Sequence, residues 1–148
     1  MGKTVDELAA GDRAAITKIV TETDIHLYVG MTGDLNPLYV DESYAAHSRY
    51  GGRIAPGILT AGLVLAVIST RLPGAGTILE QQRFHFTAPV RPGDAITAFV
   101  EVAEVMPSRG RARLRATCKN QDGTVVLDGE LVVLPPPRVR QQETGRPR

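Results

Sequence analysis

Apolar residues recur along this chain with two different periods. In DAITAFVEVAEV, Ile96, Ala98, Val100 and Val102 fall on one side, and Thr97, Phe99 and Glu101 fall on the other. That alternation predicts a strand. RARLRATCKN alternates most cleanly, with Arg111, Arg113 and Arg115 outward and Ala112, Leu114, Ala116 and Cys118 inward. TILEQQRFHFTAPV is strand-like, carries Phe84 and Phe86 on one face and is bent by Pro89. The turn signal QDG at 121–123 leads into a last strand, TVVLDGELVVL. Near the start, DRAAITKIVT alternates loosely and reads as a first strand.

Two stretches follow the helical period instead. TETDIHLYVGMTG predicts a short helix, capped by Thr23 or Asp24, that buries Ile25, Tyr28 and Val29. PGILTAGLVLAVISTRLPG predicts a long one, with Pro56 in its first turn and Pro73-Gly74 as its stop. Residues 58–68 are apolar or small on every side, so this helix is expected to be buried all round, inside a wrapper. Between the two helices lies a long connection, 34–53, in which DESYAAHS makes one helical turn. One strand before a buried helix and four successive antiparallel strands after it predict an α+β fold, a sheet curled around the helix. The expected domain spans residues 1–134. The tail 135–148, PPPRVRQQETGRPR, has almost no apolar content and is expected to be disordered.

Composition narrows the function classes. The 148 residues carry a net charge of +1 with no basic stripe, which disfavours nucleic-acid binding. A single cysteine, Cys118, excludes an internal disulfide framework and suits a reducing cytoplasm. The opening MGKTVDELAAGDR lacks the apolar core of a signal peptide. The longest apolar run, 54–68, is interrupted by Pro56, Gly57, Thr60 and Gly62 and falls short of the roughly 20 residues of a membrane span. No His, Cys or Asp cluster has metal-ligand spacing, so no metal is expected. Arg111, Arg113 and Arg115 have two readings, an anion site and a solvated strand face.

Candidate chemistry concentrates in TGDLNPLYVD, Thr32 to Asp41. Proline holds Asn36 extended, where its amide either braces a carboxylate or closes an Asx-turn; it is read as orienting the loop. The motifs GDLNPLYVDESYA, GGRIAPGILTAGL and LPGAGTILEQQRFHFTAPVRPGD, which span Gly33 to Asp94, resemble the MaoC-like hydratases, the R-specific enoyl-CoA hydratases of the hot-dog fold. The resemblance implies a reversible addition of water to a 2-enoyl thioester of CoA or a carrier protein. An Asp and a His five residues later hold the water, and a backbone N–H at the start of the central helix holds the thioester carbonyl. Carried over, the Asp is Asp34, the His position is Tyr39 and the helix-start donor is Gly57. It also implies a dimer joined edge to edge and no cofactor beyond the substrate's own CoA or phosphopantetheine.

The physics of each part stands beside the resemblance. A helix start offers unpaired N–H groups to an oxygen that becomes enolate-like, and glycine lets a ligand approach closely. Pro56-Gly57 read alone simply starts a helix. Leu59 and Leu63 are expected to line an apolar tunnel for the acyl chain together with the strand aromatics. Arg49 or Arg53 would meet the carrier phosphates, with a solvated arginine as the other reading of Arg53. His47 is the one histidine placed to stand in for the missing imidazole; His26 and His85 read as surface or boundary residues. The chain departs from the family at Tyr39, which replaces the His, and at Pro56, where most active relatives carry a second one. A phenol with a pKa of about 10 donates well but is a poor base, which leaves Asp34 as the base. Two rival readings follow: a non-catalytic acyl-thioester-binding subunit that pairs with an active homologue, and a thioesterase.

Overall fold

A computed structural model describes residues 1–139. Its elements are β1 (Arg13–Ile19), α1 (Glu22–Thr32), α2 (Pro37–Val40), α3 (Glu42–Ala46), α4 (Gly57–Thr70), β2 (Ile78–Phe86), β3 (Ala95–Met106), β4 (Arg111–Lys119) and β5 (Val125–Leu134). The strands form one antiparallel sheet in the order β1-β3-β4-β5-β2. The α+β architecture is the one that the periodicity predicts.

The alternation in β3 and β4 sets the core. Val100 pairs with Ala116 and Val102 with Leu114, so the inward residues of both strands lie on one face. Against them α4 packs Ala61, Val64, Val67 and Ile68, all nearly devoid of solvent contact. The outward arginines make cross-strand ion pairs, Arg111 with Glu80 at 2.7 Å and Arg113 with Glu130 at 3.1 Å. A charged, solvated strand face accounts for them.

Four details differ from the sequence reading. The strands after α4 are not all paired in succession: β3, β4 and β5 are, but β2 crosses to the far edge and pairs with β5. The segment 87–94 is too long for a hairpin, and its Val90 carbonyl accepts from the Ala55 N–H at 2.7 Å just before α4. The α1 cap is Thr21, not Thr23 or Asp24: Thr21 and Asp24 form a reciprocal capping box. α4 is not buried all round. Its sheet-facing side is sealed, but Ile58 is 48% exposed and Gly62 is also open, because one chain's sheet reaches only one side of the helix. Finally, packing continues past residue 134: Pro136 is buried, its Cβ 3.0 Å from where a Cβ on Gly76 would stand. The rest of the expected disordered tail, 140–148, lies outside the described residues.

Among the described residues no helix is long and apolar enough to cross a membrane.

Candidate active site

The C-terminus of α1 builds the site's acidic corner. Gly33 adopts φ 73, and its N–H donates to the Val29 carbonyl at 2.8 Å. A left-handed residue after a helix turns the chain back over the last turns, and glycine takes that conformation without a Cβ penalty. The next residue, Asp34, therefore meets the helix it has just left. Its Oδ2 accepts a hydrogen bond from the Tyr28 hydroxyl at 2.8 Å. Thr32 tightens the corner: its hydroxyl donates to the Tyr28 carbonyl at 2.8 Å and accepts from the Asp34 N–H at 3.2 Å. The other carboxylate oxygen, Oδ1, accepts from the Asn36 N–H at 3.3 Å. The Asn36 side chain caps α2 by accepting from the Leu38 N–H at 3.0 Å, and so fixes the direction in which the loop proceeds.

Tyr39, on α2, meets Tyr28 edge to face, with ring centroids 6.4 Å apart and planes at 76°. Burial, and then the charge of Asp34, push the Tyr39 phenol above its usual range, with the Asn36 side chain acting against them. The Tyr28 phenol is pushed up as well, first by the hydrogen bond it donates to Asp34. Both are therefore protonated donors near neutral pH, grouped around one carboxylate.

Two arginines hold the loop that follows. Arg53 pairs with Glu22 on α1 and with Glu42 on α3 at 2.9 Å, and it donates to the Tyr39 carbonyl at 3.2 Å. Its guanidinium is committed to ion pairs and is not a free cation for a phosphate. Arg91, between β2 and β3, donates to the carbonyls of Tyr50 and Gly52. Arg49 is exposed and lies against the Tyr50 ring, 5.2 Å from its centroid. His47 ends α3, where its Nδ1 lies 2.7 Å from the Ser43 carbonyl, and the structure does not bring it to the cleft described next.

α4 begins at Gly57 with Pro56 in the cap position. No side chain caps it, and its first turn holds no acid. A 14-residue helix thus presents unpaired donors and its positive dipole end. They face a cleft of about 560 Å³ lined by Tyr39, Tyr50, Gly57, Ile58, Thr60 and Phe86, among others. A Cβ on Gly57 would stand 3.0 Å from the Phe86 ring, so glycine keeps this wall open. The buried Thr60 hydroxyl has no hydrogen-bond partner among the described residues. Leu59 and Leu63 do not join this cleft. They line a second, apolar one of about 230 Å³ with Val20, Leu27, Tyr28 and Met31. Positions 57 and 59 of a helix point about 200° apart, so one tunnel on one side of α4 does not take both as walls. The expected single tunnel is two clefts, one walled by Tyr39 and the other by Tyr28.

The structure thus brings Asp34, Asn36 and Tyr39 together, and sets Tyr39 and Gly57 around one opening. Among the described residues no three His, Cys, Asp or Glu side chains converge as metal ligands. Sequence reasoning missed Tyr28, Tyr50 and Arg91. Tyr28 looked like a core residue of α1; the available signal was Gly33, whose turn folds Asp34 back to it.

The MaoC like domain model matches residues 7–123. A 3-hydroxybutyryl-CoA dehydratase of Methylorubrum extorquens is 45% identical over 131 residues, covering 88% of this chain and 83% of the relative. An (R)-specific enoyl-CoA hydratase of Rhodospirillum rubrum is 41% identical over 133 residues, 90% of this chain and 92% of the relative. Among solved structures, an unliganded R-hydratase of Pseudomonas aeruginosa superposes with a TM-score of 0.86 at 36% identity, over 99% of this chain and 96% of its own. With a family match over most of its length and the sheet and helix of the hot-dog fold, the chain belongs to the MaoC-like family of hydratases and dehydratases.

Proposed function

We propose that this protein adds water to 2-enoyl thioesters, and removes it from 3-hydroxyacyl thioesters in reverse, with Asp34 as the general base. The observation that carries this is the corner around Asp34: a carboxylate held by two donors and flanked by two protonated phenols, in the same fold as the relatives named for that chemistry. In the forward direction Asp34 takes one proton from a water while the water's oxygen bonds to C3. The C2=C3 electron pair moves toward the thioester, whose carbonyl oxygen becomes enolate-like. The N–H of Gly57 at the uncapped start of α4 stabilises that charge. C2 then takes the proton held by Asp34, so H and OH from one water are added and nothing else is consumed. Tyr39 orients the water by donating to its oxygen.

The thioester carrier is CoA or the phosphopantetheine of a carrier protein, part of the substrate and not a cofactor. Its acyl chain runs into the cleft that opens at Gly57, along Ile58 and Phe86, and Leu59 and Leu63 line the separate apolar cleft on the other side of α4. Arg53 and Asn36 shape the loop, and Arg49 is the cation left exposed for a carrier phosphate.

Asp34→Asn keeps the shape and removes the base, so turnover of crotonyl-CoA should fall at least about a hundredfold. Tyr39→Phe should cost less, since the base remains. Unchanged turnover in Asp34→Asn would place the chemistry elsewhere. The poor basicity of Tyr39 favours one rival, an acyl-thioester-binding subunit: a wild-type chain that binds acyl-CoA and turns over no enoyl-CoA would establish it.

The functional unit is a homodimer. Among the described residues β1 and β2 are the unpaired sheet edges, and Ile78 and Phe86 on β2 are 62% and 55% exposed. A sedimentation mass of one chain at micromolar concentration would refute this, and a complex with a homologous chain would replace it by a heterodimer. The lone buried thiol fits the cytoplasm, which cell fractionation tests.

A further inference from the structure

We infer that Tyr28 is the residue that sets the orientation of the Asp34 carboxylate, doing from α1 the part of the absent imidazole that Tyr39 does not do. The inference rests on the hydratase reading for its consequence in turnover, but not for its geometry. Tyr28 is the only side chain that hydrogen-bonds the Asp34 carboxylate among the described residues, at 2.8 Å. Tyr39, the residue in the His position, touches Tyr28 by its ring edge and makes no hydrogen bond to Asp34.

The local build explains why the contact is reproducible. Four constraints converge on it: the left-handed Gly33, the Thr32 hydroxyl that bridges Tyr28 and Asp34, the Asn36 N–H on Oδ1, and the Tyr39 ring packed on the phenol. A carboxylate is free to rotate about its Cβ–Cγ bond. With Tyr28 on Oδ2 and Asn36 on Oδ1, that rotation stops, and one lone pair of each oxygen stays open for a water. Tyr28 also lines the apolar cleft, so the cleft's wall and the base's support are one side chain.

Tyr28 is thus a positioning residue, and its test separates it from a merely structural ring. Tyr28→Phe keeps the edge-to-face contact and deletes only the hydroxyl. In ¹³C-carboxyl NMR of aspartate-labelled protein, with Asp34→Asn identifying the resonance, the Asp34 carboxyl signal at neutral pH should shift in Tyr28→Phe, which removes its one side-chain donor. In the same variant kcat should fall about tenfold with KM little changed. Tyr39→Phe, as the contrast, should leave the Asp34 signal nearly where it is. An Asp34 signal that does not move in Tyr28→Phe overturns the inference whatever the activity. A signal that moves as expected in a protein that turns over no enoyl thioester upholds the pair and overturns the hydratase reading instead.

Discussion

The two main helices begin in opposite ways. α1 opens with a complete capping box, Thr21 and Asp24 each satisfying the other's backbone, and carries two acids in its first turn. α4, the longer and more buried, opens on Pro56 with no side-chain cap and no acid. Stability alone would favour a cap at α4, since a cap residue contributes about 1 kcal/mol. The difference is explained by what each end faces. α1 starts on the surface, where unpaired donors are merely wasteful. α4 starts on a cleft, where unpaired donors are what an incoming oxygen needs. One helix end serves the fold and the other serves the ligand.

The largest break in that contrast is Gly57→Pro. It deletes the first N–H of α4 at a position that tolerates proline, and Pro56 already has the extended ψ of 131 that a following proline demands. The ring must displace the Phe86 side chain, which is half exposed. kcat/KM should fall about a hundredfold or more, the usual loss for one oxyanion donor, with the helical circular dichroism intact. Full activity in a folded variant would show that the open end of α4 is not used.

Thr21→Ala makes the opposite change. Removing the α1 cap should cost about 1 kcal/mol, a drop in Tm of roughly 2–4 °C for a chain of this size, and leave kcat/KM within about twofold. A large loss of activity would mean that the start of α1 matters to the site as well as its end.

The smallest effect is acid sensitivity confined to one end. Asp24 is held below its ordinary value first by Lys18 and then by the Thr21 backbone, and Glu22 is held below its own by Arg53. Groups with depressed folded-state values contribute stability that is present above their unfolded values and is lost as pH falls through the folded ones. The start of α1 should therefore loosen as pH drops below about 4.5, the ordinary value of Glu22, while α4 has no carboxylate there to titrate. Amide exchange of the two helix starts between pH 5 and 3 reads this directly. Equal acceleration at both would remove the contrast.

How much of this was legible in the chain depends on the range over which each signal acts. The strands β3 and β4 were legible because alternation is a property of consecutive residues, as were Pro56 and Gly57 at a helix start. Pairing of β2 with β5 was not, because strand order depends on which edge is free once the helix has crossed. The wrapping of α4 was over-read: a sequence apolar on all sides reveals that every side needs cover, not that its own chain supplies it. In the site, Asp34, Asn36 and Tyr39 were found through the six-residue motif DLNPLY. Tyr28 was missed because its partner is reached only through a backbone reversal at Gly33. Arg53 had two readings, a carrier-phosphate contact and a solvated arginine, and its ion pairs with Glu22 and Glu42 fit neither.

The clamp made by Arg91 has a consequence for local opening. Residues 50–53 have few backbone hydrogen bonds of their own, and one guanidinium reaching across from the β2–β3 connection accepts the task of holding two of their carbonyls. Loss of those bonds frees 50–52 at a free energy below that of global unfolding, while Arg53 keeps the end of the segment on Glu22 and Glu42. Since Tyr50 and Ile54 line the cleft, the same event widens its mouth while Asp34, tied to α1, stays in place. The base thus sits on a wall tied to α1, and the lip at Tyr50 to Gly52 hangs on Arg91.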